Sequence, residues 1–436
     1  MDGSAVVAGA GIAGLVAARV LSQRYPSVTV LDRDTLPDGA TPRRGVPQSA
    51  QPHLLLISGM RALEELFPGL LDELTDKGAV RFDPGLGLCV YRYGSRWPRA
   101  ETGLDLVSVS RPLLEATIRD RVAKQPGVTI RDGVAVIALS GAAGKVTGAF
   151  LDNGDHLEAG LVVDCTGRGS RSDRWLAALG FPAPEQVEVK IGVTYTTRIF
   201  RRAPGELEGW QAALVLPTPP EENRHGLALA IEDDRWLVTV GGWHVDKPPT
   251  DIASFNEYAQ SLPDPIVADL IAHAEPLSEP QLHRYPSSRR RRFETLERIP
   301  AGYVALGDAF CSFNPIYGQG MTCATLQAGA LAEALDRHSA ATVEMARDYF
   351  TAAAETLATP WQFAVGGDFA FPQTTGPKPR GIGVTNWYVR RMSIASKKDA
   401  DVNRTFVSVQ QLLTPPSVLF KPAFVARVLR LSRRRA

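Results

Sequence analysis

The chain has 436 residues, 44% of them hydrophobic and 22% charged, with a formal net charge of +1. That length allows a large core and two or three domains, and the composition excludes wholesale disorder. Near-neutrality removes the electrostatic case for a nucleic-acid partner. The four cysteines, Cys89, Cys165, Cys311 and Cys323, form no Cys-x-x-Cys or Cys/His ligand spacing. Free thiols in a reducing compartment are therefore expected, and a metal site is not. The first apolar run begins at Ala5, after Asp2 rather than a basic stretch, and glycines break it, so no targeting segment is expected. No uncharged run approaches the roughly 18 residues of a spanning helix, which predicts a cytoplasmic protein with no integral membrane segment.

Residues 4–24 read as a short apolar strand, then Gly9-Ala-Gly11-Ile-Ala-Gly14, then a helical pattern. A second strand, Val28 to Leu31, ends at Asp32 with Arg33 beside it. Gly9 allows the tight turn, Gly11 lets the backbone approach a pyrophosphate, and Gly14 lets helix and strand pack closely. The helix N-terminus favours phosphate charge. Asp32 is placed to accept hydrogen bonds from both ribose hydroxyls of an adenosine. An acid there disfavours a 2′-phosphate, so the nucleotide is FAD or NAD rather than NADP.

From Thr41 the chain turns basic, with Arg43-Arg44 followed by Gln48 and His53. Arginine in this place suits phosphate contact, and a solvated loop is the plainer alternative. Leu54 to Leu74 predicts amphipathic helix around a Phe67-Pro-Gly turn. Ala79 to Asp105 is strand-like and aromatic, fit either for a pocket wall or for sheet core. Ser110 caps a helix with Pro112 in its first turn. Arg111 at that helix start is disfavoured by the dipole, which suggests an anionic neighbour, with an ordinary surface arginine the plainer alternative. Strands follow at 128–130, 134–139, 146–151 and 161–163, read together as completing a nucleotide-binding layer. The last ends in Asp164-Cys-Thr166-Gly167-Arg168, at the carboxyl end where open α/β sheets bind ligands.

Val187 to Phe200 alternates as a half-buried strand should, and three further strand signals follow between 212 and 240. They predict an antiparallel sheet inserted into the first domain. Residues 250–277 are mainly helical. Arg289 to Arg292 reads as a solvated loop or a phosphate-facing edge. Tyr303 to Leu306 is a buried strand stopping at Gly307-Asp308, and Gly318-Gln-Gly320 opens an Ala/Leu-rich helix. This arrangement presents a carboxylate and free backbone N–H groups to one ligand. Another helix spans 341–357, Gly366-Gly367 and residues 373–383 read as a mobile connection, and a basic helical tail runs to the end. The tail is expected to pack its apolar side on its own protein rather than on a membrane.

The N-terminal glycine motif with Asp32, the Asp164-Cys-Thr-Gly167-Arg segment, and Gly307-Asp308 with Pro315 and Gly318-Gln-Gly320 resemble the FAD-dependent monooxygenase superfamily. Within it, the phrases Arg44-Gly-Val-Pro-Gln48 and Asn314-Pro-Ile-Tyr-Gly-Gln-Gly-Met-Thr322 look similar to bacterial olefin epoxidases of polyether and related natural-product pathways. The resemblance implies an α/β fold: a Rossmann-like FAD-binding domain (1–80, 108–180 and 290–365), an inserted mixed or antiparallel β-sheet substrate domain (81–107 and 181–289), and a helical C-terminal region (366–436). It implies FAD on Gly9, Gly11, Gly14, Asp32, Arg33, Arg44, Gln48, Arg111, Val134, Asp308, Gly318, Gln319, Gly320 and Met321. Pro315, Tyr317 and His53 are the catalytic candidates.

The activity so implied is transfer of one oxygen atom from a flavin hydroperoxide to an apolar small molecule, by epoxidation of a C=C bond in a polyketide or terpenoid intermediate. Aromatic hydroxylation and reduction of isoprenoid double bonds are the alternatives on the same scaffold. Aromatic hydroxylases of the superfamily carry Asp-Gly where this chain has Thr166-Gly167, and no second glycine fingerprint is present. NAD(P)H is thus expected to act either directly or through a partner flavin reductase.

Overall fold

The computed structural model describes residues 3–433. The chain forms an α/β fold around two large sheets. The first has five parallel strands in the order Tyr303–Ala305, Leu161–Asp164, Ser4–Ala8, Ser27–Leu31, Val128–Arg131. Its central strands are buried on both faces, as an all-parallel sheet requires, which is why they read as unbroken apolar runs. Helices Ile12–Ser22, Arg111–Ala123 and Gly320–Arg337 bury Leu15, Ile118 and Leu331 in the same core.

Strands Val136–Ala142, Lys145–Leu151 and His156–Glu158 do not extend this layer. They form a separate three-stranded antiparallel sheet, joined to the parallel sheet by a hydrogen bond from Val146 N to Ala301 O. The turns between them are short enough for hairpins, and antiparallel pairing needs nothing longer.

The second sheet has eight strands and is largely antiparallel. Its centre is the 17-residue strand Glu185–Arg201, flanked by Arg235–Trp243 and Gln281–Arg292. Leu88–Arg92 joins it by parallel pairing with Ala212–Val215. Helices Ile252–Gln260 and Ile266–His273 bury Phe255, Val267 and Leu270 against Ala228, Ala230 and Val238. Val189, Ile191, Val193 and Tyr195 belong instead to a core shared with Trp243, Tyr285, Val365 and Phe371. The four-arginine run is neither solvated loop nor phosphate edge. It ends the strand Gln281–Arg292 and is paired: Arg289 with Glu188, Arg290 with Glu294, Arg292 with Glu185, while buried Arg291 donates to the carbonyls of Ala309 and Ser170.

The late helix is longer than its sequence suggests, running Val343–Asp368 with Pro360 inside it. Gly366 and Gly367 are therefore helical, not a mobile connection, and Thr375 beyond them exchanges hydrogen bonds with Lys190. Side chains at these glycines would meet Ile382 and the Tyr317 hydroxyl, so close packing selects glycine here rather than flexibility. The last helices, Ile382–Ser396, Ala400–Gln410 and Pro422–Leu431, bury Tyr388, Met392, Phe406 and Val428 in their own core. Arg430 faces water, and Arg434 and Arg435 of the basic tail lie outside the described residues. No helix among the described residues is long and apolar enough to cross a membrane.

Candidate functional site

A cavity of about 710 Å³ lies where the parallel strands end and the second sheet begins. That is within the roughly 300–1,000 Å³ usual for ligand sites. Four strands feed it at their carboxyl ends. Ser4–Ala8 delivers Gly9 and Gly11, Ser27–Leu31 delivers Asp32 and Arg33, Leu161–Asp164 delivers Cys165 to Arg168, and Tyr303–Ala305 delivers Gly307 and Asp308. Tyr195, His283 and Tyr285 line it from the second sheet.

The three glycines of the first turn have different reasons to be glycine. Gly9 sits at φ 104°, and a Cβ there would stand 2.4 Å from the Cys165 carbonyl oxygen. Gly14 is not a lining residue. A Cβ on it would lie 1.7 Å from the Gly9 oxygen, so its role is to seat the helix on the turn. Gly11 differs from both: its backbone is extended, and a Cβ would find only the Arg43 and Arg111 guanidinium nitrogens, each 3.8 Å away. No side chain caps the helix that follows, so its first N–H groups are left for an anion. Helix Gly320–Arg337 also begins without a side-chain cap, and Gln319 Oε1, buried at the cavity wall, has no partner among the described residues.

Around Asp32 the charges are buried and interlocked. Its carboxylate accepts from Ala10 N at 2.7 Å and from Asp34 N at 3.0 Å, and pairs with Arg43 at 3.1 Å. Arg43 also reaches Asp34 at 3.1 Å and Glu115 at 2.8 Å, and Glu115 pairs with Arg111 at 2.9 Å. Burial alone would raise the Glu115 pKa, but Arg111 and Arg43 outweigh it and hold the carboxyl below the ordinary glutamate value. Arg111 thus has its anionic neighbour one helical turn away. Arg43, not Arg44, turns inward, because three carboxylates await it. Arg44 is exposed and is absent from the cavity wall.

At the other end, Asp308 faces the cavity with its Oδ1 3.8 Å from the Cβ position of Gly320. Burial pushes its pKa up, opposed by the charges of Arg168 and Arg111. Arg168 lies 4.8 Å over the Tyr285 ring and donates to Ser312 Oγ at 3.0 Å. His53 lines the wall with its Nδ1 2.8 Å from the Gln51 carbonyl, so Nδ1 carries the proton and Nε2 is left as acceptor. Burial, then the charge of Arg111, lowers its pKa to about 3. The Tyr195 and His283 rings stand 5.3 Å apart, and burial lowers the His283 pKa.

Of the residues singled out from sequence, the cavity gathers Gly9, Gly11, Asp32, Arg33, Gln48, His53, Arg111, Val134, Asp308, Pro315, Gly318, Gln319, Gly320 and Met321. Tyr317 is not among them. Its hydroxyl turns away to Asp368, at 3.2 Å, where a buried carboxylate takes it up. Of the Arg43-Arg44 pair the sequence favoured the wrong member, and Glu115, His283 and Tyr285 were missed. The i, i+2 spacing of His283 and Tyr285 on a strand was the one available signal for the last two.

Solved structures share this fold of a parallel sheet beneath a large, mainly antiparallel one. The flavin-dependent brominase Bmp2 superposes with a TM-score of 0.70 over 99% of this chain and 98% of its own, at 14% identity. PqsL of Pseudomonas aeruginosa, a probable FAD-dependent monooxygenase, gives 0.62 over 85% of this chain and 99% of its own, at 20% identity. No family model matches the chain. Protein Rv3254 of Mycobacterium tuberculosis is 36% identical over 427 residues, 89% of each chain, and this chain belongs to its family.

Proposed function

We propose that this chain is an FAD-dependent monooxygenase that transfers one atom of O₂ to a small organic substrate. One observation carries the reading. A single cavity brings the glycine turn and Asp32, from the first strands, to Asp308 and Gly318 to Met321, from the last. On this reading Gly9, Gly11 and the helix start take the pyrophosphate, and Asp32 and Arg33 the adenosine side. Asp308 takes the ribityl chain, and the uncapped helix at Gly320 faces the ring. Gln48, Arg111 and Val134 complete the cofactor wall. Reduced FAD supplies the activation of O₂, and the protein supplies binding, orientation and exclusion of water. NAD(P)H provides the electrons, directly or through a separate reductase.

The finer proposal is epoxidation of a C=C bond in an apolar natural-product intermediate. Epoxidation asks no protein base of the enzyme, which fits a His53 held neutral and weakly basic. A second reading, aromatic hydroxylation, draws on His53, Tyr195 and His283, hydrogen-bonding groups lining the same cavity as Pro315. Reduced enzyme given ¹⁸O₂ and panels of polyenes and phenols separates them. Label in an epoxide supports the first, and label only in a phenol ring supports the second. Saturated product without O₂ uptake overturns both in favour of a reductase.

A further inference from the structure

We propose that Asp368 is a positioning residue for the wall of the cavity that carries Pro315. The proposal rests on the FAD reading of that cavity. Asp368 closes the helix Val343–Asp368 and is wholly buried. Its Oδ1 gathers three donors from two separate parts of the molecule. Trp243 Nε1, from the second sheet, donates at 2.8 Å; Asn314 Nδ2 and the Tyr317 hydroxyl, from the loop on either side of Pro315, donate at 2.8 and 3.2 Å.

Asn314 is itself fully buried, and its Oδ1 accepts from Ile316 N at 3.2 Å. One amide thus fixes the loop's own turn while the other end anchors that turn to Asp368. Trp243 is held in place by stacking on Phe371 at 4.8 Å, and the Thr374 hydroxyl ties the Asp368 carbonyl at 2.7 Å. Hydrogen bonds to an ionised acceptor are the strong ones, and a buried network of this kind fixes one geometry. Oδ2, by contrast, has no partner among the described residues. A carboxyl kept in such a place, at the cost of leaving one oxygen unpaired, is explained by the three groups it orients. The consequence is that the helix Val343–Asp368 sets how Pro315 stands against the flavin.

The test is made on FAD-loaded protein, reading the FAD dissociation constant and the visible circular dichroism of the bound flavin. Far-UV dichroism and gel filtration report the fold. Asp368→Asn keeps an oxygen at Oδ1 and is expected to retain the wild-type flavin dichroism, with affinity within about twofold. Asp368→Leu keeps the branched shape, at a larger volume, and loses the acceptor. It is expected to alter the flavin dichroism and weaken FAD about tenfold, the scale of one lost charge-assisted hydrogen bond. General destabilisation would lower the melting temperature and leave the spectrum of bound flavin unmoved. A Leu variant with wild-type spectrum and affinity overturns the proposal, as does an Asn variant as perturbed as Leu. Should Asp368→Leu not fold, the Trp243→Phe/Tyr317→Phe double variant decides: a changed flavin dichroism supports the proposal and a wild-type one overturns it. Wild-type protein that binds no FAD overturns the cofactor reading and this assignment with it.

Discussion

Replacing Gly11 by alanine separates a cofactor contact from a folding requirement. The Gly11 backbone lies at φ −75° and ψ −178°, extended and open to any residue, and an added Cβ meets no protein atom closer than 3.8 Å. Two small effects then oppose each other in the free protein. Alanine in place of glycine at a compatible position stabilises by about 0.4–1 kcal/mol through the unfolded chain. Alanine at a helix N-cap is worse than glycine by a similar amount. The net change in stability is near zero, within about 0.5 kcal/mol. The methyl group, however, fills the space before Arg43, Arg111 and the helix N-terminus, the place proposed for the pyrophosphate. Losing one or two phosphate contacts costs about 1.5–3 kcal/mol, or roughly 10- to 100-fold in FAD affinity. Gly14→Ala is the control: its Cβ would lie 1.7 Å from the Gly9 oxygen, so it must destabilise the protein without any cofactor present. Thermal melting and fluorescence titration with FAD measure both. A Gly11→Ala protein with wild-type FAD affinity would rule out a phosphate contact at Gly11, and a Gly14→Ala protein of wild-type stability would rule out the packing role of Gly14.

Other outcomes follow from the same geometry. Asp308→Ala should bind FAD at least about tenfold more weakly, by the scale of hydrogen bonds to a charged acceptor, and equilibrium dialysis checks it. Arg43→Ala removes the one cation shared by Asp32, Asp34 and Glu115 and leaves three buried carboxylates with Arg111 alone to offset them, which should cost about 3–5 kcal/mol in urea unfolding, whereas exposed Arg44→Ala should change neither stability nor FAD affinity. His225 is buried with neither ring nitrogen partnered among the described residues, and burial lowers its pKa to about 4. Its folded value lies below the unfolded 6.5, so the unfolded chain takes the proton first. Stability is full above pH 6.5 and falls by about 1.4 kcal/mol per pH unit down to about 4. His225→Phe should flatten that part of the stability profile, and an unchanged slope would count against the assignment. Asp368 has the opposite sign: burial raises its pKa to about 6, so the native state loses stability as pH rises from 3.8 to 6. Asp368→Asn should therefore raise the melting temperature at pH 7 more than at pH 4.

Much of the site was legible because its signals are local. A parallel strand buried on both faces has to be an apolar run, and the tight turn after it demands glycine at Gly9, so Gly9, Gly11 and Asp32 announce themselves by spacing. The same holds for Asp308 and the helix start at Gly320. What stayed hidden was decided by partners far away in sequence. Nothing in Arg43-Arg44 says which one turns inward; Glu115, about seventy residues on, decides it. Tyr317 looks like a cavity residue until Asp368 claims its hydroxyl. Pro360 and two glycines argue locally against helix, yet the helix Val343–Asp368 runs through all three, because Pro360 and Gly366 are buried in the packed interior and Gly367 closes on Tyr317. The arginine run reads as solvated until the facing strand supplies Glu188 and Glu185.

On the proposed reading one FAD lies along the whole cavity, and a crystal structure of the protein with FAD bound would show it. The adenosine ribose should sit against Asp32, the pyrophosphate over Gly11 and the helix that starts at Ile12, and the isoalloxazine ring against Gly318 to Met321 beneath Tyr195 and His283. FAD bound in the reverse sense, with its ring at Asp32, or bound outside this cavity, would contradict the account.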